Sequence, residues 1–304
     1  MHPDWSLLTA SWELALEADG YAAHTVRTYQ RATRNLAGWL AEHHPDVGPL
    51  EVERGHARAW LAEVRRAHSQ ATARSWLAGV RHFYRWAVEE GEAERDPTAG
   101  IRTPQPPQPR TRVLAEAELR RLVRACDGRT FADRRDLAMV LLLVDCGLRL
   151  GELAGLQVDD VNLAGRVVQV AGKGSRRSGP RHRAVPLGVR TARALDRYLR
   201  ERRRHPYAER PALWLGARGG PSLGDDGIDM AVKRRARAAG LQGVHPHMLR
   251  HSWAHWFRAN GGSEGDLMLL GGWSDRSMLD RYGASTAAER AAEAGRRFSL
   301  ADRL

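Results

Sequence analysis

His245-Pro246-His247-Met248-Leu249-Arg250-His251 carries imidazoles and a guanidinium into one helical segment, and Arg281-Tyr282 follows, with Tyr282 31 residues beyond His251. His247 and Arg250 lie three residues apart at the start of that helix, so their side chains share a face. Two pieces stand upstream, Gly147-Leu148-Arg149-Leu150-Gly151-Glu152-Leu153 and Gly172-Lys173-Gly174. Together they describe a site that holds a phosphate diester with arginines and attacks it with a phenol. The same segments set the fold class. Helical periodicity runs on either side of them and breaks only between residues 158 and 187.

Each piece has a plainer reading. Arg149 and Glu152 follow the apolar run Leu137–Val144 and have i, i+3 spacing, which alone describes a local ion pair. Arginine, however, presents a planar fork of donors suited to phosphate oxygens, and a neighbouring carboxylate can fix its orientation. Lys173 lies between two glycines at a presumed hairpin tip. It is either part of a surface turn or a proton donor to a leaving alkoxide, its basicity lowered by nearby cations. All but two of the 48 lysines and arginines are arginine, the exceptions being Lys173 and Lys233. A titratable amine at 173 therefore stands out. Gly172-Lys173-Gly174-Ser175 is not a Walker A loop, because the earlier glycine is missing. His247, His251 and His255 follow i, i+4, i+8, but there is no His-Glu-x-x-His and no nearby cysteine, so a metal site is not expected, and His251 and His255 read as packing or hydrogen-bonded residues. Tyr21, Tyr29 and Tyr84 fit N-terminal helices, while Tyr198 and Tyr207 flank an arginine-rich helix end. Only Tyr282 follows the His/Arg elements closely.

The 304 residues suffice for one large or two medium domains. No apolar run approaches the roughly 20 residues that span a bilayer, and Met1–Trp5 lacks the layout of a signal peptide. These features predict a cytoplasmic, nucleoid-associated protein. Cys126 and Cys146 sit in apolar helical contexts and imply no disulfide framework. The formal charge of +12 points to a polyanionic partner, although a base-composition bias toward arginine codons accounts for part of the pattern.

The fold expected is mainly α with a small β-sheet. Residues 1–95 read as a helical DNA-binding domain. In it, Thr25 is a candidate N-cap for a helix burying Val26, Tyr29, Thr33, Leu36 and Leu40. Arg27, Arg31 and Arg34 fall about opposite that stripe. A second helix starting near Ser69 buries Trp76, Leu77, Val80, Phe83 and Tyr84, with Arg74, Arg81 and Arg85 on its other face. One such stripe alone would be a solvated face; two nearly acid-free stripes point to phosphate contacts that position DNA without reading sequence. Residues 96–112 form a proline-rich basic linker. Residues 113–304 hold helices near 115–126, 131–146, 149–156, 189–204, 225–239, 246–260 and 264–270. Strand candidates lie at 166–171 and 181–187.

The ordered set Arg149, Lys173, His247-x-x-Arg250, Trp273 and Tyr282 resembles that of the tyrosine recombinase (phage integrase) family. Glu152 matches the family's acidic residue after the first arginine, and tryptophan at 273, nine residues before the tyrosine, is within its pattern. The matching elements cover roughly 113–290, and the N-terminal helices resemble the family's SAM-like core-binding domain. The resemblance implies a site-specific recombinase that cleaves and rejoins duplex DNA at specific recombination sites. Tyr282 would form a 3′-phosphotyrosyl link, helped by His247 as acid/base. Arg149 and Arg250 would stabilise the non-bridging oxygens, Lys173 would protonate the leaving 5′ oxygen, and the Trp273 indole would donate to the phosphate. Neither metal nor nucleotide is required. Strand exchange would take a homotetramer on DNA, with possible accessory DNA-bending factors. The tail Ala287–Leu304 either docks on a neighbouring subunit or folds back. A type IB topoisomerase-like relaxing enzyme and a non-catalytic DNA-binding regulator on the same fold remain the alternatives.

Overall fold

The computed structural model describes residues 4–105, 112–175, 179–217, 220–273, 275 and 296, and for residues 173–181 at most the backbone. The chain divides into two compact units, residues 1–108 and 109–304.

The first unit is a four-helix bundle: α1 (Asp4–Ala18), α2 (Ala23–His43), α3 (Arg54–Ala67) and α4 (Gln70–Glu89). Its core is rich in aromatics. Trp5, Trp12, Trp60, Phe83 and Tyr84 are almost fully buried among Leu16, Leu36, Leu40, Leu77 and Val80. The polar ends of these rings find partners, as buried aromatics require: Trp12 Nε1 donates to His82 Nδ1, Trp60 Nε1 to Asn35 and the Tyr84 hydroxyl to the Pro49 carbonyl. Ser69 caps α4 by accepting from the Thr72 backbone N–H, at the position its sequence indicates. The expected Thr25 cap is corrected. The helix begins earlier, with Ala22 at the N-cap and no side-chain cap bond, so burial of the Val26 stripe and not capping determines where α2 starts. The stretch after α4 folds back onto this unit, with Thr98 and Ile101 buried.

The second unit is built around α6 (Phe131–Cys146). Its run Leu137–Val144 is apolar on nearly every side, as expected of a helix covered all round. α8 (Val189–Arg202) and α10 (Pro246–Ala259) pack on it, with smaller contacts from α5 (Glu116–Arg124), α7 (Leu150–Ala154) and α9 (Asp225–Ala238). Thr130 caps α6 reciprocally with Asp133. One polar cluster interrupts this core: buried Asp136 is held by Arg135, Arg234 and Arg235. Cys126 and Cys146 are buried free thiols. Burial pushes the Cys126 thiol up to about 12 and raises that of Cys146 as well.

A three-stranded antiparallel sheet of order β1-β2-β3 is inset between α7 and α8. It comprises β1 (Val161–Asn162), β2 (Val167–Ser175) and β3 (Gly179–Pro186). The short edge strand β1 is an addition to the two strands legible in the sequence; two residues are too few for a periodic signal. The register slips between Gly172 and Ser175, which brackets Lys173.

α6 ends at Gly147, whose φ of 59° lies in the left-handed region. A Cβ there would lie 2.0 Å from the Trp253 ring. Replacing Gly147 by Ala adds backbone strain to a steric collision and is expected to cost about 3 kcal/mol, measured as a lower urea midpoint.

Candidate active site

Arg149 occupies the N-cap position of α7, and Glu152 is the third residue of that helix. The Glu152 carboxylate accepts from the Arg149 backbone N–H at 2.9 Å and from its Nη1 at 2.7 Å. A carboxylate in a first helical turn satisfies an orphan donor and suits the helix dipole. Arg149 Nη2 donates to the Gly272 carbonyl at 2.9 Å. The ion pair expected from i, i+3 spacing is present, and it is tied to a segment 123 residues further on.

A third member has no counterpart among the residues singled out from the sequence. Arg183, on β3, donates to both Glu152 oxygens at 3.0 and 2.8 Å and through Nε to the Leu270 carbonyl at 2.8 Å. A signal was available. Arg183 alternates with the buried Val185 and Leu187, so a charged residue stands on the inward face of a strand and needs a countercharge. Burial alone would raise the Glu152 carboxyl, but hydrogen bonds from Arg183 and the Arg149 backbone and the charge of Arg183 outweigh it, holding Glu152 at about 2.

α10 supplies the other half. His245 caps it by accepting from the Met248 N–H, and Pro246 takes the first turn, where its missing N–H costs nothing. Arg250 is buried to 1% exposure. Its guanidinium donates to the carbonyls of Gly147 and Gly271 and lies 4.5 Å from the Trp273 ring centroid. Trp273 is itself buried and packs on Trp253. It follows α11 (Glu264–Gly271) and the left-handed Gly272. Its ring also belongs to a small apolar cluster with Ala254 and Leu267. His247 is exposed, and its Nε2 lies 2.9 Å from Nε2 of buried His251. Although the residue as a whole is exposed, partial desolvation of its ring, then the charge of Arg250, lowers the His247 pKa and disfavours the protonated form. His255 packs edge-on against Trp256. Among the described residues, no group of three or more His, Cys, Asp or Glu could hold a metal ion.

The structure therefore gathers Arg149, Glu152, Arg250, Trp273 and, through α10, His247 around the 270–273 backbone, and adds Arg183. Lys173 is placed only by its backbone, on β2. Tyr282 and the tail from Ala287 to Leu304 lie outside the described residues, apart from Arg296.

Residues 112–289 match the phage integrase family and residues 11–91 its N-terminal SAM-like domain. The chain belongs to the phage integrase family of tyrosine recombinases. This integrase is similar to tyrosine recombinase XerD of Pseudomonas aeruginosa, at 34% identity over 86% of this chain and 87% of the relative. It is also similar to tyrosine recombinase XerC of Xanthomonas axonopodis pv. citri, at 32% identity over 82% and 83%. In fold it resembles a lambda integrase dimer bound to a COC′ core site, with a TM-score of 0.70 and 18% identity over 91% of this chain and 76% of that one. A XerH site-specific recombinase bound to a palindromic difH substrate gives a TM-score of 0.71 at 17% identity, over 89% and 79%.

The integrase's buried histidine gives a pH expectation. Burial, then the charges of His247 and Arg250, holds His251 down at about 4, whereas an unfolded histidine titrates near about 6.5. Between those values the unfolded chain binds a proton that the folded chain refuses. The contribution of His251 is therefore complete above pH 6.5 and lost as pH falls toward 4, by at most about 3 kcal/mol. Urea midpoints from pH 7 to 4.5 should fall less steeply for His251→Gln than for the parent; equal slopes would assign the acid sensitivity to other groups.

Proposed function

We propose that this integrase is a site-specific DNA recombinase in which Tyr282 is the nucleophile and Arg149, Arg250, His247, Lys173 and Trp273 serve the transferred phosphate. The observation that carries this reading is the convergence of Arg149 and Arg250 on one short backbone segment just upstream of Tyr282. Arg149 gives part of its guanidinium to Glu152 and part to the Gly272 carbonyl, and Arg250 is held by backbone carbonyls. Such a locus is cationic, and preorganised cationic donors stabilise the charge that builds on non-bridging oxygens as the phosphorus becomes pentacoordinate.

The step balances without an added reagent. The Tyr282 oxygen bonds to phosphorus as the bond to the 5′ oxygen breaks. The phenol, with an ordinary pKa of about 10, needs a base to accept its proton. His247 suits that role because its surroundings disfavour the protonated ring. The departing 5′ oxygen takes a proton from Lys173. Attack on the phosphotyrosine by a 5′-hydroxyl reverses the sequence, and a hydroxyl from another duplex exchanges strands. Exchange between two duplexes calls for four such sites, hence a homotetramer on DNA, with accessory DNA-bending factors as further partners. A nucleoid-associated location follows from that substrate; among the described residues no helix is long and apolar enough to cross a membrane.

The first unit supports the DNA reading. Arg27, Arg31, Arg34, Arg74 and Arg85 are exposed on α2 and α4. Arg31 also leans toward the Trp76 ring, 6.0 Å away, and Arg34 donates to Gln30. Arg81 departs from the expected stripe. It is half-buried, and its guanidinium holds the Ile101 carbonyl and the Thr103 hydroxyl. It fastens the segment after α4 to the bundle, leaving phosphate contact to the other five.

Tyr282→Phe is expected to bind DNA with parental affinity and to form no covalent complex on a nicked suicide substrate carrying the recombination site. Persisting covalent product would overturn the nucleophile assignment. Strand joining between two site-bearing duplexes, rather than site-independent relaxation of supercoils, separates a recombinase from a topoisomerase-like enzyme. A parent with no covalent product at all would favour a non-catalytic regulator. Replacing Arg27, Arg31 and Arg34 together by Gln should flatten the dependence of log affinity on log salt by roughly 2–3 units, at about 0.9 for each phosphate that is no longer neutralised. An unchanged slope would return this stripe to a solvated face.

A further inference from the structure

We propose that Arg183 is a positioning residue for Arg149: it holds the Glu152 carboxylate and the 270–272 backbone around that guanidinium and keeps the Arg149–Glu152 pair net positive. The inference rests on the recombinase reading and deepens it. Arg149 and Glu152 alone form a neutral pair, a poor partner for a phosphate gaining negative charge. Glu152 is nearly buried, with 4% of its side chain exposed, so solvent screens little of that neutralisation. The second guanidinium, on β3, occupies both carboxylate oxygens. One carboxylate is then shared between two permanent cations, and the trio carries a net positive charge.

The geometry also separates the two arginines by role. The Arg149 side chain is 38% exposed and that of Arg183 only 13%. Two of the five N–H donors of Arg149 are engaged, by Glu152 and Gly272, leaving others for a ligand. Arg183 spends Nε, Nη1 and Nη2 on Leu270 and Glu152. Gly272 roofs it: a Cβ there would stand 2.9 Å from Arg183 Nη1 and 3.3 Å from Arg149 Nη1. The loop bearing Gly272 thus crosses both guanidinia, and a side chain at this left-handed position would press on them. Arg183 reaches the reacting phosphate through Arg149 and this loop rather than by touching it.

The experiment is single-turnover covalent-complex formation by the full chain on a nicked suicide duplex, with DNA affinity and urea midpoint measured alongside. Arg183→Gln should slow the covalent step at saturating DNA by about 100-fold, the loss typical of a slightly misplaced catalytic group. Affinity should stay within about twofold, because the Arg183 guanidinium is committed to Glu152 and Leu270 and neutralises no phosphate of the duplex. Arg183→Lys should recover only part of the rate, because an ammonium cannot span both oxygens and Leu270. Adding Arg183→Gln to Arg149→Ala should cost little beyond Arg149→Ala alone. Losing one partner of a buried pair destabilises, so Glu152→Gln with Arg183→Gln serves as the folded control and should stay slow at the covalent step. The proposal is overturned if Arg183→Gln lowers only the urea midpoint, if it weakens DNA binding in place of the covalent step, or if its effect multiplies fully with that of Arg149→Ala. A parent that forms no covalent complex would instead overturn the recombinase reading itself.

Discussion

The buried guanidinium of Arg250 is the interaction on which the catalytic unit's arrangement depends. A permanent charge at 1% exposure is tolerated only when hydrogen bonds replace its water. Two described partners are backbone carbonyls at ends of different elements, Gly147 after α6 and Gly271 closing α11, and the Trp273 ring lies against its face. Satisfying one charge therefore locks the exit of the central helix, the start of α10 and the loop leading toward Tyr282 into one geometry. Neither glycine leaves spare room: the Trp253 ring closes on Gly147, and the Trp273 ring on Gly271.

Glu152 makes a second, complementary junction. A carboxylate that burial would protonate stays ionised because two guanidinia and a backbone N–H surround it. It joins α7 to β3, and through the arginines it reaches the same 270–272 backbone that Arg250 holds. Both junctions thus converge on three residues just before Trp273. A site for a phosphate in transit needs this convergence, because electrostatic stabilisation acts only from donors already in place.

Much of this was legible in the sequence. The apolar run Leu137–Val144 lies within a helix read at 131–146, and a second N-terminal helix is read from near Ser69. Arg149 with Glu152, and His247 with Arg250, follow from spacing. Other features escaped because no local pattern encodes them. Ala22 has no capping side chain, so nothing marks it. The two residues of β1 exist only by pairing with β2. Arg81 looks like its neighbours on α4 and is distinguished only by a chain segment 20 residues on that folds back beneath it.

The sequence by itself determined the element types and the chemistry available: two arginines, a carboxylate, a histidine and, downstream, a tyrosine, in an order that the phage integrase family shares. Spacing along a helix records which side chains share a face, because the helix repeat is local and invariant. Only the tertiary structure decided that Arg183 on β3 reaches Glu152 on α7, 31 residues away, and that Arg149 and Arg250 meet over the 270–272 backbone. Those contacts join elements whose approach is set by packing on α6 and by the need to satisfy buried charges, and neither leaves a period in the chain.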